Sequence, residues 1–301
     1  MLAPDLKLEI PLTSKKSGCY QFYVEWQSPD SAHFHGIEKV IYNGKSPYQT
    51  IEIYQTQKFG KLLVLDGDPQ SSEHDEDIYH EVLVHPALSL CSEPEVVLIL
   101  GGGEGATLRE VLRYSQVKKA VMVDLDEMVV QVSKEFLPTY SNGCFEDPRT
   151  VLLIQDAKLY LENTNERFDC VISDLTEPYP DTPTQTLLSE DFFRKIKSRI
   201  KSDGVFAMQA SHSGRGMHHL HRHYAAILKN VWKIVRPYHA FIPSFYSDWG
   251  FVLCSDTFDP LKLSPEQVDQ KLSHFSKNLS FYDGHIHQAL FTLSKDFRSL
   301  I

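Results

Sequence analysis

The sequence predicts an α/β protein with an open parallel sheet behind a small N-terminal β domain. Three observations predict this class. From Val96 onward, short apolar runs alternate with segments of helical period, which is typical of parallel strands covered by helices on both faces. The first of these runs ends in a glycine-rich loop. Before residue 70, by contrast, stretches rich in β-branched and aromatic residues end in turn signals.

The N-terminal β domain is predicted to span residues 1–72. The segments "CYQFYVEWQ" and "IEKVIYNG" have the composition of strands, and "YQTIEIYQTQKFGKLLVLDG" predicts two strands around a turn at residues 58–61. The pattern then changes, because "EHDEDIYHEVLVHPALSL" carries apolar residues at helical spacing. A second domain is therefore predicted over residues 73–301.

The strands of the second domain are predicted in the runs "VVLIL", "AVMVD", "VLLI", "CVIS" and "GVFAMQ". Helices are predicted in "ATLREVLRY", "DEMVVQVSKEFL" and "SEDFFRKIKSRI". The runs "AFIPSF" and "GFVLCSD" are expected to close the sheet ahead of a C-terminal helix and tail.

The composition limits the classes of partner. The chain of 301 residues has a formal net charge of -10, which suits a cationic ligand and lacks the basic excess of a nucleic-acid-binding protein. Its five cysteines are scattered without a CxxC pair, which predicts reduced thiols in a cytoplasmic protein. No apolar run approaches the roughly 20 residues that span a bilayer, and no secretory signal pattern opens the sequence, so no membrane partner is expected.

The glycine loop lies in "LILGGGEGATLREVLRY", between a predicted strand and a predicted helix. Gly101 and Gly103 would let the backbone turn sharply and let a ligand approach closely. A tight turn without a ligand is the alternative. The loop lacks a Walker lysine, and Glu104 would repel a phosphate, so a nucleotide phosphate is not expected here.

Aspartates end the next two predicted strands. Asp124 ends "AVMVD" about 20 residues beyond the glycine loop, where an acidic residue grips a ribose diol in nucleoside-binding folds. Asp156 follows "VLLI" and could accept a hydrogen bond from an adenine amino group. A helix N-cap is the alternative for either residue. Together with the glycine loop, the two aspartates describe an adenosine site of the kind that binds S-adenosyl ligands.

The fourth strand adds two carboxylates, Asp174 and Glu177, in "SDLTEP". With Glu104 they form an anionic cluster beside the predicted nucleoside site. Grouped carboxylates are unfavourable unless a cation lies between them. The ligand predicted from these residues therefore carries a positive group next to its nucleoside.

The chain resembles the polyamine aminopropyltransferases, the spermidine synthase family. The motifs that carry the resemblance are "SPYQTIEIY", "LLVLDGDPQ", "DEDIYHEVLVHPAL", "GGGEGATLREVL", "VMVDLDE", "GCFEDPR", "SDLTEP" and "FYDGHIH". The resemblance implies a small N-terminal β domain and a Rossmann-like sheet of the methyltransferase type. It also implies transfer of an aminopropyl group from decarboxylated S-adenosylmethionine, a co-substrate, to an amine. The other product is 5'-methylthioadenosine.

The resemblance also implies site residues. The donor and methylthioadenosine would contact Gln49, Gln70, Gly101, Gly103, Glu104, Asp124, Asp156, Ala157 and Pro183. Glu104 would bind the ammonium of the aminopropyl group. The acceptor would contact Tyr79, His80, Glu177, Gln209 and Tyr246, and catalysis would fall to Asp174, as proton acceptor, with Tyr79. No cofactor and no metal are expected, and the family forms homodimers or homotetramers.

The chain departs from the common family pattern at Glu104 and Glu177, where aspartate is usual. Its loop motifs lean toward the branch that uses agmatine or longer amines, so agmatine, putrescine and a triamine remain open as acceptors. Glu25, Glu73 and Asp248 are candidates for the distal end of the amine channel.

Three alternatives to these predictions remain at this point. One is a methyltransferase that uses S-adenosylmethionine, and another is a non-catalytic sensor of nucleosides or polyamines. The third concerns "HHLHRH", in which His219 and His223 could share a helix face and bind zinc, or form a polar helix face without a metal.

Overall fold

The N-terminal part of the chain forms an antiparallel sheet. The computed structural model describes residues 21–178, 184 and 187–299. The strands, in spatial as well as chain order, are β1 (Gln21–Ser28), β2 (Ser31–Lys45), β3 (Thr50–Thr56), β4 (Gly60–Leu65) and β5 (Asp68–Ser72). The two strands predicted around residues 58–61 pair as β3 and β4, with Ile51 opposite Leu65. The fifth strand was not predicted.

The second sheet has seven strands. They are β6 (Val96–Gly101), β7 (Lys119–Asp124), β8 (Thr150–Ile154), β9 (Phe168–Asp174), β10 (Ile200–His212), β11 (Ile234–Ile242) and β12 (Ser247–Ser255). Their spatial order is β11-β12-β10-β9-β6-β7-β8. The five strands from β8 to β10 are parallel, as predicted. This is the predicted Rossmann-like sheet of the methyltransferase type.

The two runs that were expected to close the sheet form its antiparallel edge. Strand β12 runs antiparallel to both β10 and β11. The physical reason is the short connection between β11 and β12, a 3₁₀ turn at Pro243–Phe245 followed by Tyr246. So few residues can join antiparallel neighbours but cannot cross over to a parallel strand.

Helices cover both faces of this sheet, as predicted. The helices are α1 (Glu76–Leu90), α2 (Ala106–Leu112), α3 (Glu127–Phe136), α4 (Pro138–Ser141), α5 (Ala157–Asn163), α6 (Glu190–Arg199), α7 (His219–Lys229), α8 (Pro265–Leu272), α9 (Gly284–Leu290) and α10 (Lys295–Arg298). One face buries apolar side chains of α1, α2 and α8, including Leu83 and Leu108. The other buries side chains of α5, α6 and α7, including Phe193. None of the described helices is long and apolar enough to cross a bilayer.

The N-terminal sheet packs against helices of the second part of the chain in a third apolar core. Ile51 and Ile53 of β3 and Leu63 of β4 pack with Val129 and Val132 of α3. Strand β5 ends at Ser72 and α1 begins at Glu76. The division into domains after residue 72 stays a prediction.

The strand order fixes where a ligand can enter. The chain proceeds from β6 toward β7 and β8 on one side, and returns to β9 and β10 on the other. The carboxyl ends of β6 and β9 therefore form a topological switch point, where open α/β sheets leave a crevice for a ligand.

Candidate active site

A cavity of about 850 Å³ lies at this switch point. Residues of both sheets line it, so the N-terminal sheet forms one wall. Of the predicted site residues, those that line the cavity are Gln49, Gln70, Tyr79, Gly101, Gly103, Glu104, Asp124, Asp156, Ala157, Asp174, Glu177 and Gln209. His80 and Tyr246 are not among the lining residues, and Pro183 lies outside the described residues.

The glycine loop joins the ends of β6 and β9. Gly101 has a φ of +83°, and a Cβ there would collide with the carbonyl oxygen of Asp174. The next amide, of Gly102, donates to that same carbonyl oxygen at 3.1 Å. At Gly103 a Cβ would lie 2.8 Å from Val129 and 3.0 Å from the Asp124 carboxylate. Glycine at these two positions thus lets the loop after β6 lie close to the end of β9, at Gly101, and to the end of β7, at Gly103.

Two hydroxyl groups hold the carboxylate of Asp174. The Tyr79 hydroxyl, from α1, donates to Oδ1 at 2.8 Å, and the Thr107 hydroxyl, from α2, donates to Oδ2 at 2.6 Å. Burial and the charge of Glu104 raise the pKa of Asp174, whereas His80 and the two hydroxyls oppose this rise. Thr107 was not predicted, because a threonine in the first turn of a helix has no distinctive sequence signal.

His80 lies behind Glu104 rather than on the cavity wall. Its ring is fully buried, and Nε2 lies 3.1 Å from Oε1 of Glu104. On the other side, Nδ1 lies 3.0 Å from Oε2 of Glu76. These two carboxylates raise the pKa of His80 to about 10 against the opposing effect of burial. Polar atoms of His80, Glu104 and Asp174 all lie within 4.8 Å of one another.

Asp124 lines the cavity and does not cap a helix. Its Oδ1 accepts a hydrogen bond from the amide of Asp126 at 2.8 Å, and Asp126 is the N-cap of α3. Burial, with the charges of Glu104, Asp126 and Asp174, raises the pKa of Asp124 to about 7. A group that donates hydrogen bonds, such as a ribose diol, would favour its ionised form.

Asp156 caps a helix and also lines the cavity. Its Oδ1 accepts from the amide of Leu159 at 2.8 Å and so caps α5, yet Asp156 and Ala157 also line the cavity. Across the cavity, the amide group of Gln49 donates to Oδ2 of Asp126 at 2.9 Å. Gln70 donates to the carbonyl oxygen of Asp68 at 3.1 Å.

Glu177 and Gln209 lie on the wall formed by β9 and β10. Glu177 is only 7% exposed, and burial raises its pKa to about 7 against hydrogen bonds with Ser211 and Gln209. Gln209 also donates to the carbonyl oxygen of Leu175 at 2.6 Å. The Thr184 hydroxyl donates to the carbonyl oxygen of Glu177 at 2.8 Å, which fixes the start of the loop after β9.

Tyr246 packs outside the cavity, against rings of the N-terminal sheet. It has a φ of +50°, is 40% exposed, and contacts His33, His35 and Phe59. Its expected place in the acceptor channel therefore differs from its place in the structure.

Glu25 alone of the three distal candidates lines the cavity. It is 6% exposed, and its Oε2 lies 3.1 Å from Nε2 of His35. Asp248 instead faces His239 at 3.5 Å, and Glu73 accepts a hydrogen bond from the amide of Lys61.

The histidines of "HHLHRH" have separate environments. His219 lines the cavity, whereas His221 is buried and contacts Ser213 and the carbonyl oxygen of Phe251. Within the described part of the chain, the set His80, Glu104 and Asp174 is the only one of three or more ligating side chains whose atoms lie within 4.8 Å of one another. A third zinc ligand near His219 and His223 is thus missing from the residues described.

The fold and the cavity define a class: a Rossmann-like protein with a nucleoside-sized crevice whose walls carry buried carboxylates. Two family models match the chain within this class. Residues 21–73 match the spermidine synthase tetramerisation domain, and residues 76–263 match the spermine/spermidine synthase domain. The second match alone covers more than half of the chain. The chain belongs to the spermine/spermidine synthase family.

Relatives and solved structures agree with this assignment. The polyamine aminopropyltransferase of Sulfurisphaera tokodaii is 39% identical over 283 residues, 94% of this chain and 93% of that protein. The polyamine aminopropyltransferase of Aeropyrum pernix is 46% identical over 261 residues, 85% of this chain and 82% of that protein. The spermidine synthase from Thermotoga maritima superposes with a TM-score of 0.85 at 31% identity, covering 94% of this chain and 95% of that chain. A spermidine synthase in complex with the transition-state analogue AdoDATO gives a TM-score of 0.86 at 31% identity, with coverages of 94% and 96%.

These matches confirm the predicted fold and the predicted enzyme class, a transferase of aminopropyl groups in polyamine biosynthesis. They favour aminopropyl transfer over methyl transfer and over a non-catalytic sensor. The match of residues 21–73 supports a homo-oligomer.

Proposed function

We propose that the cavity transfers the aminopropyl group of decarboxylated S-adenosylmethionine to a primary amine, with Asp174 as proton acceptor. The observation that carries this proposal is the position of Asp174. It lies at the switch point between the glycine loop and the amine side of the cavity, held by Tyr79 and Thr107 and within 4.8 Å of Glu104 and His80. A donor ammonium on Glu104 would therefore lie next to the proton acceptor.

The donor would lie along the ends of β6, β7 and β8. Asp124 would hold the ribose, and Asp156 with the backbone of Ala157 would hold the adenine. Gly101 and Gly103 allow the sulfonium to approach the backbone closely. Glu104 distinguishes this donor from S-adenosylmethionine, because a methyl donor keeps its carboxylate and that carboxylate would be repelled here.

The reaction forms a bond between the acceptor nitrogen and the aminopropyl carbon and breaks the bond from that carbon to sulfur. The electron pair of the broken bond stays on sulfur, which leaves as 5'-methylthioadenosine, and the proton of the nitrogen passes to Asp174. Removing a proton from an alkylammonium of pKa near 10.4 requires about 4.6 kcal/mol at pH 7. The raised pKa of Asp174 narrows this gap, since burial disfavours the charged forms of both the base and the ammonium.

The proposed acceptor is agmatine or a triamine rather than putrescine. Burial raises the pKa of Glu177 to about 7 and that of Asp68 to about 6, and the charge of Asp68 adds to the first rise and that of Glu25 to the second, so the three carboxylates lie within electrostatic range of one another. All three line the cavity, from the wall of β9 to the wall of β1. A long acceptor with a second cationic group would place that group near Asp68 or Glu25, and putrescine offers a shorter reach.

The proposed assembly is a homodimer or homotetramer formed through the N-terminal sheet. Large apolar side chains of this sheet are exposed in the single chain, including Phe22 at 57%, Trp26 at 68% and Phe34 at 62%. The cytoplasmic location stays a prediction. It agrees with the described cysteines Cys91, Cys144, Cys170 and Cys254, which are buried and form no disulfide.

One experiment tests the reaction and the acceptor together. The protein is incubated with decarboxylated S-adenosylmethionine and, separately, putrescine, agmatine or spermidine, and the products are identified by mass spectrometry. We expect equimolar 5'-methylthioadenosine and an amine longer by one aminopropyl group. No aminopropylated product with any of the three amines would contradict the proposed reaction. The initial rate of product formation with each amine gives kcat/KM. A higher kcat/KM for putrescine than for agmatine and spermidine would contradict the proposed acceptor.

A further inference from the structure

Charged side chains behind the cavity wall form a continuous chain that ends at Glu104. These residues are Arg109, Glu76, His80 and Glu104, in order of contact. Arg109 of α2 donates two parallel hydrogen bonds to the Glu76 carboxylate of α1, at 2.7 and 2.8 Å. Glu76 faces Nδ1 of His80 at 3.0 Å, and Nε2 of His80 faces Glu104 at 3.1 Å. These hydrogen bonds thus connect the contact between α1 and α2 to the cavity.

The geometry of His80 favours the imidazolium, the protonated form of its own ring. Both of its ring nitrogens face carboxylate oxygens, and Nδ1 also lies 2.5 Å from the carbonyl oxygen of Glu76. A neutral imidazole has a single N–H, so one nitrogen would direct its lone pair at an acceptor. The imidazolium donates at both nitrogens and satisfies both carboxylates.

Arg109 keeps Glu76 available for this bond. Its fork holds the Glu76 carboxylate in one orientation, and it also donates to Oε1 of Glu110 at 2.7 Å and to the carbonyl oxygen of Tyr140 at 2.9 Å. The pKa of Glu76 is lowered by its hydrogen bonds with His80 and Arg109, against the effect of burial. A largely buried, ionised and fixed Glu76 is what an imidazolium at position 80 needs as a partner.

We propose that Glu76 and Arg109 are positioning residues for the reaction, because they hold His80 as an imidazolium. The imidazolium orients Glu104 for the donor and makes the electric field at Asp174 less negative. This inference rests on the proposed function. The bond from Nε2 of His80 occupies Oε1 of Glu104, and no described residue hydrogen-bonds Oε2, which is left for the donor ammonium. Neither positioning residue touches the cavity itself.

The imidazolium has a second effect, on the proton acceptor. The charge of His80 lowers the pKa of Asp174, whereas the charge of Glu104 raises it. The groups that face His80 are Glu76 on its own helix, Glu104 and Asp174 from the strand ends, and the Tyr79 ring beside it. If His80 lost its proton, the field at Asp174 would become more negative and the pKa of Asp174 would rise. The acid limb of the pH–rate profile would then move to higher pH.

Glu76→Gln tests the inference, because it keeps the shape of the side chain and removes its charge. In the wild-type protein we expect both ring nitrogens of His80 to show the ¹⁵N shifts of an imidazolium at pH 8, with the His80→Gln spectrum giving the assignment. In Glu76→Gln we expect a neutral ring at pH 8. We also expect the acid limb of kcat/KM to move up by about one pH unit, a tenfold loss at the acid end. Arg109→Lys keeps the positive charge but loses the two parallel hydrogen bonds to Glu76, so it should move the acid limb in the same direction by a smaller amount.

Asp259→Asn is the matched control. Asp259 also accepts two hydrogen bonds from one arginine, Arg236, at 2.9 and 2.6 Å, but it does not line the cavity. It should change thermal stability without moving the acid limb. Three outcomes would overturn the inference: a neutral His80 in the wild-type protein, an imidazolium that persists in Glu76→Gln, or an unmoved acid limb in Glu76→Gln with a neutral His80. If Glu76→Gln does not fold, the wild-type spectrum still tests it. If the wild-type protein transfers no aminopropyl group, the proposed function fails, while the spectra of His80 are read independently.

Discussion

The hydroxyl of Thr107 donates a hydrogen bond of 2.6 Å to Oδ2 of Asp174, opposite the bond of 2.8 Å that Tyr79 donates to Oδ1. The two donors come from different helices, α2 and α1, so the carboxylate is fixed in one orientation where the two helices meet the sheet. Each bond favours the ionised form of Asp174, which a proton acceptor needs. A carboxylate has lone pairs beyond the two in use, so an amine can still approach.

Asp174→Asn should therefore abolish most of the turnover. The variant keeps the shape of the side chain but cannot accept the proton, and general bases contribute at least about 100-fold. Binding of 5'-methylthioadenosine, measured by calorimetry, should stay near the wild-type value. Thr107→Val is the comparison, since it removes one hydrogen bond and leaves the carboxylate, and it should lose much less. Near wild-type turnover in Asp174→Asn would rule out Asp174 as the proton acceptor.

Glu104→Gln should affect binding of the donor more than binding of the product. Replacing the carboxylate turns a charge-assisted hydrogen bond into a neutral one, which should raise the Kd of decarboxylated S-adenosylmethionine by about tenfold. Methylthioadenosine lacks the aminopropyl ammonium, so its Kd should change far less. Both constants can be measured by calorimetry with the same preparation. Equal losses for the two ligands would place Glu104 away from the ammonium.

Much of this site could be predicted because its residues end strands. Gly101, Asp124 and Asp174 each end a parallel strand, and the carboxyl ends of such strands meet at one edge of the sheet. The apolar runs predicted these strands, since buried parallel strands are continuously hydrophobic. The helix-breaking glycines then predicted where a ligand approaches the backbone.

Contacts between separate elements could not be predicted in this way. The bond from Thr107 to Asp174 and the bond from Gln49 to Asp126 join residues 67 and 77 positions apart, and nothing local marks either one. The position of His80 shows the same limit. Helical spacing places it next to Tyr79, but only the packing of α1 on α2 decides that it faces Glu104 rather than the cavity.

The raised pKa values of the cavity predict how ligand binding depends on pH. Burial raises the pKa of both Asp124 and Glu177 to about 7. A folded carboxyl with a raised pKa stabilises the protein below the ordinary value near 4, and this contribution is lost as the pH rises through about 7. An acceptor amine pairs with the ionised form of Glu177, so its binding should strengthen over the same range.

We therefore expect spermidine to raise Tm more at pH 8 than at pH 6. One carboxyl of pKa near 7 is mostly protonated at pH 6, which weakens cation binding about tenfold, and this difference corresponds to about 3 °C in Tm. Differential scanning fluorimetry at both pH values measures it. Glu177→Gln should reduce the difference, because it removes the titrating carboxyl on the amine side of the cavity. A larger shift at pH 6 than at pH 8 would mean that Glu177 does not bind the amine.

The choice of acceptor depends on the wall that the N-terminal sheet contributes. Glu25 is buried and hydrogen-bonds with His35 and Gln27. Like Asp68 and Glu177, it lines the cavity. Its contact with the acceptor would require a second cation beyond the reach of putrescine, as in agmatine or a triamine. We expect the wild-type kcat/KM for agmatine or spermidine to exceed that for putrescine.

Glu25→Gln should then raise KM for the longer acceptor by about tenfold, the typical worth of one charge-assisted hydrogen bond, with little change in kcat. The KM for putrescine should change less than twofold. Glu73→Gln is the matched control, because Glu73 was an equal candidate from the sequence but accepts from the amide of Lys61 and does not line the cavity. Steady-state kinetics with the three amines, run side by side, measure all of these constants. A clear preference of the wild-type enzyme for putrescine would make it a spermidine synthase with a variant loop. Equal losses in kcat/KM for putrescine and the longer amine in Glu25→Gln would assign Glu25 a structural role.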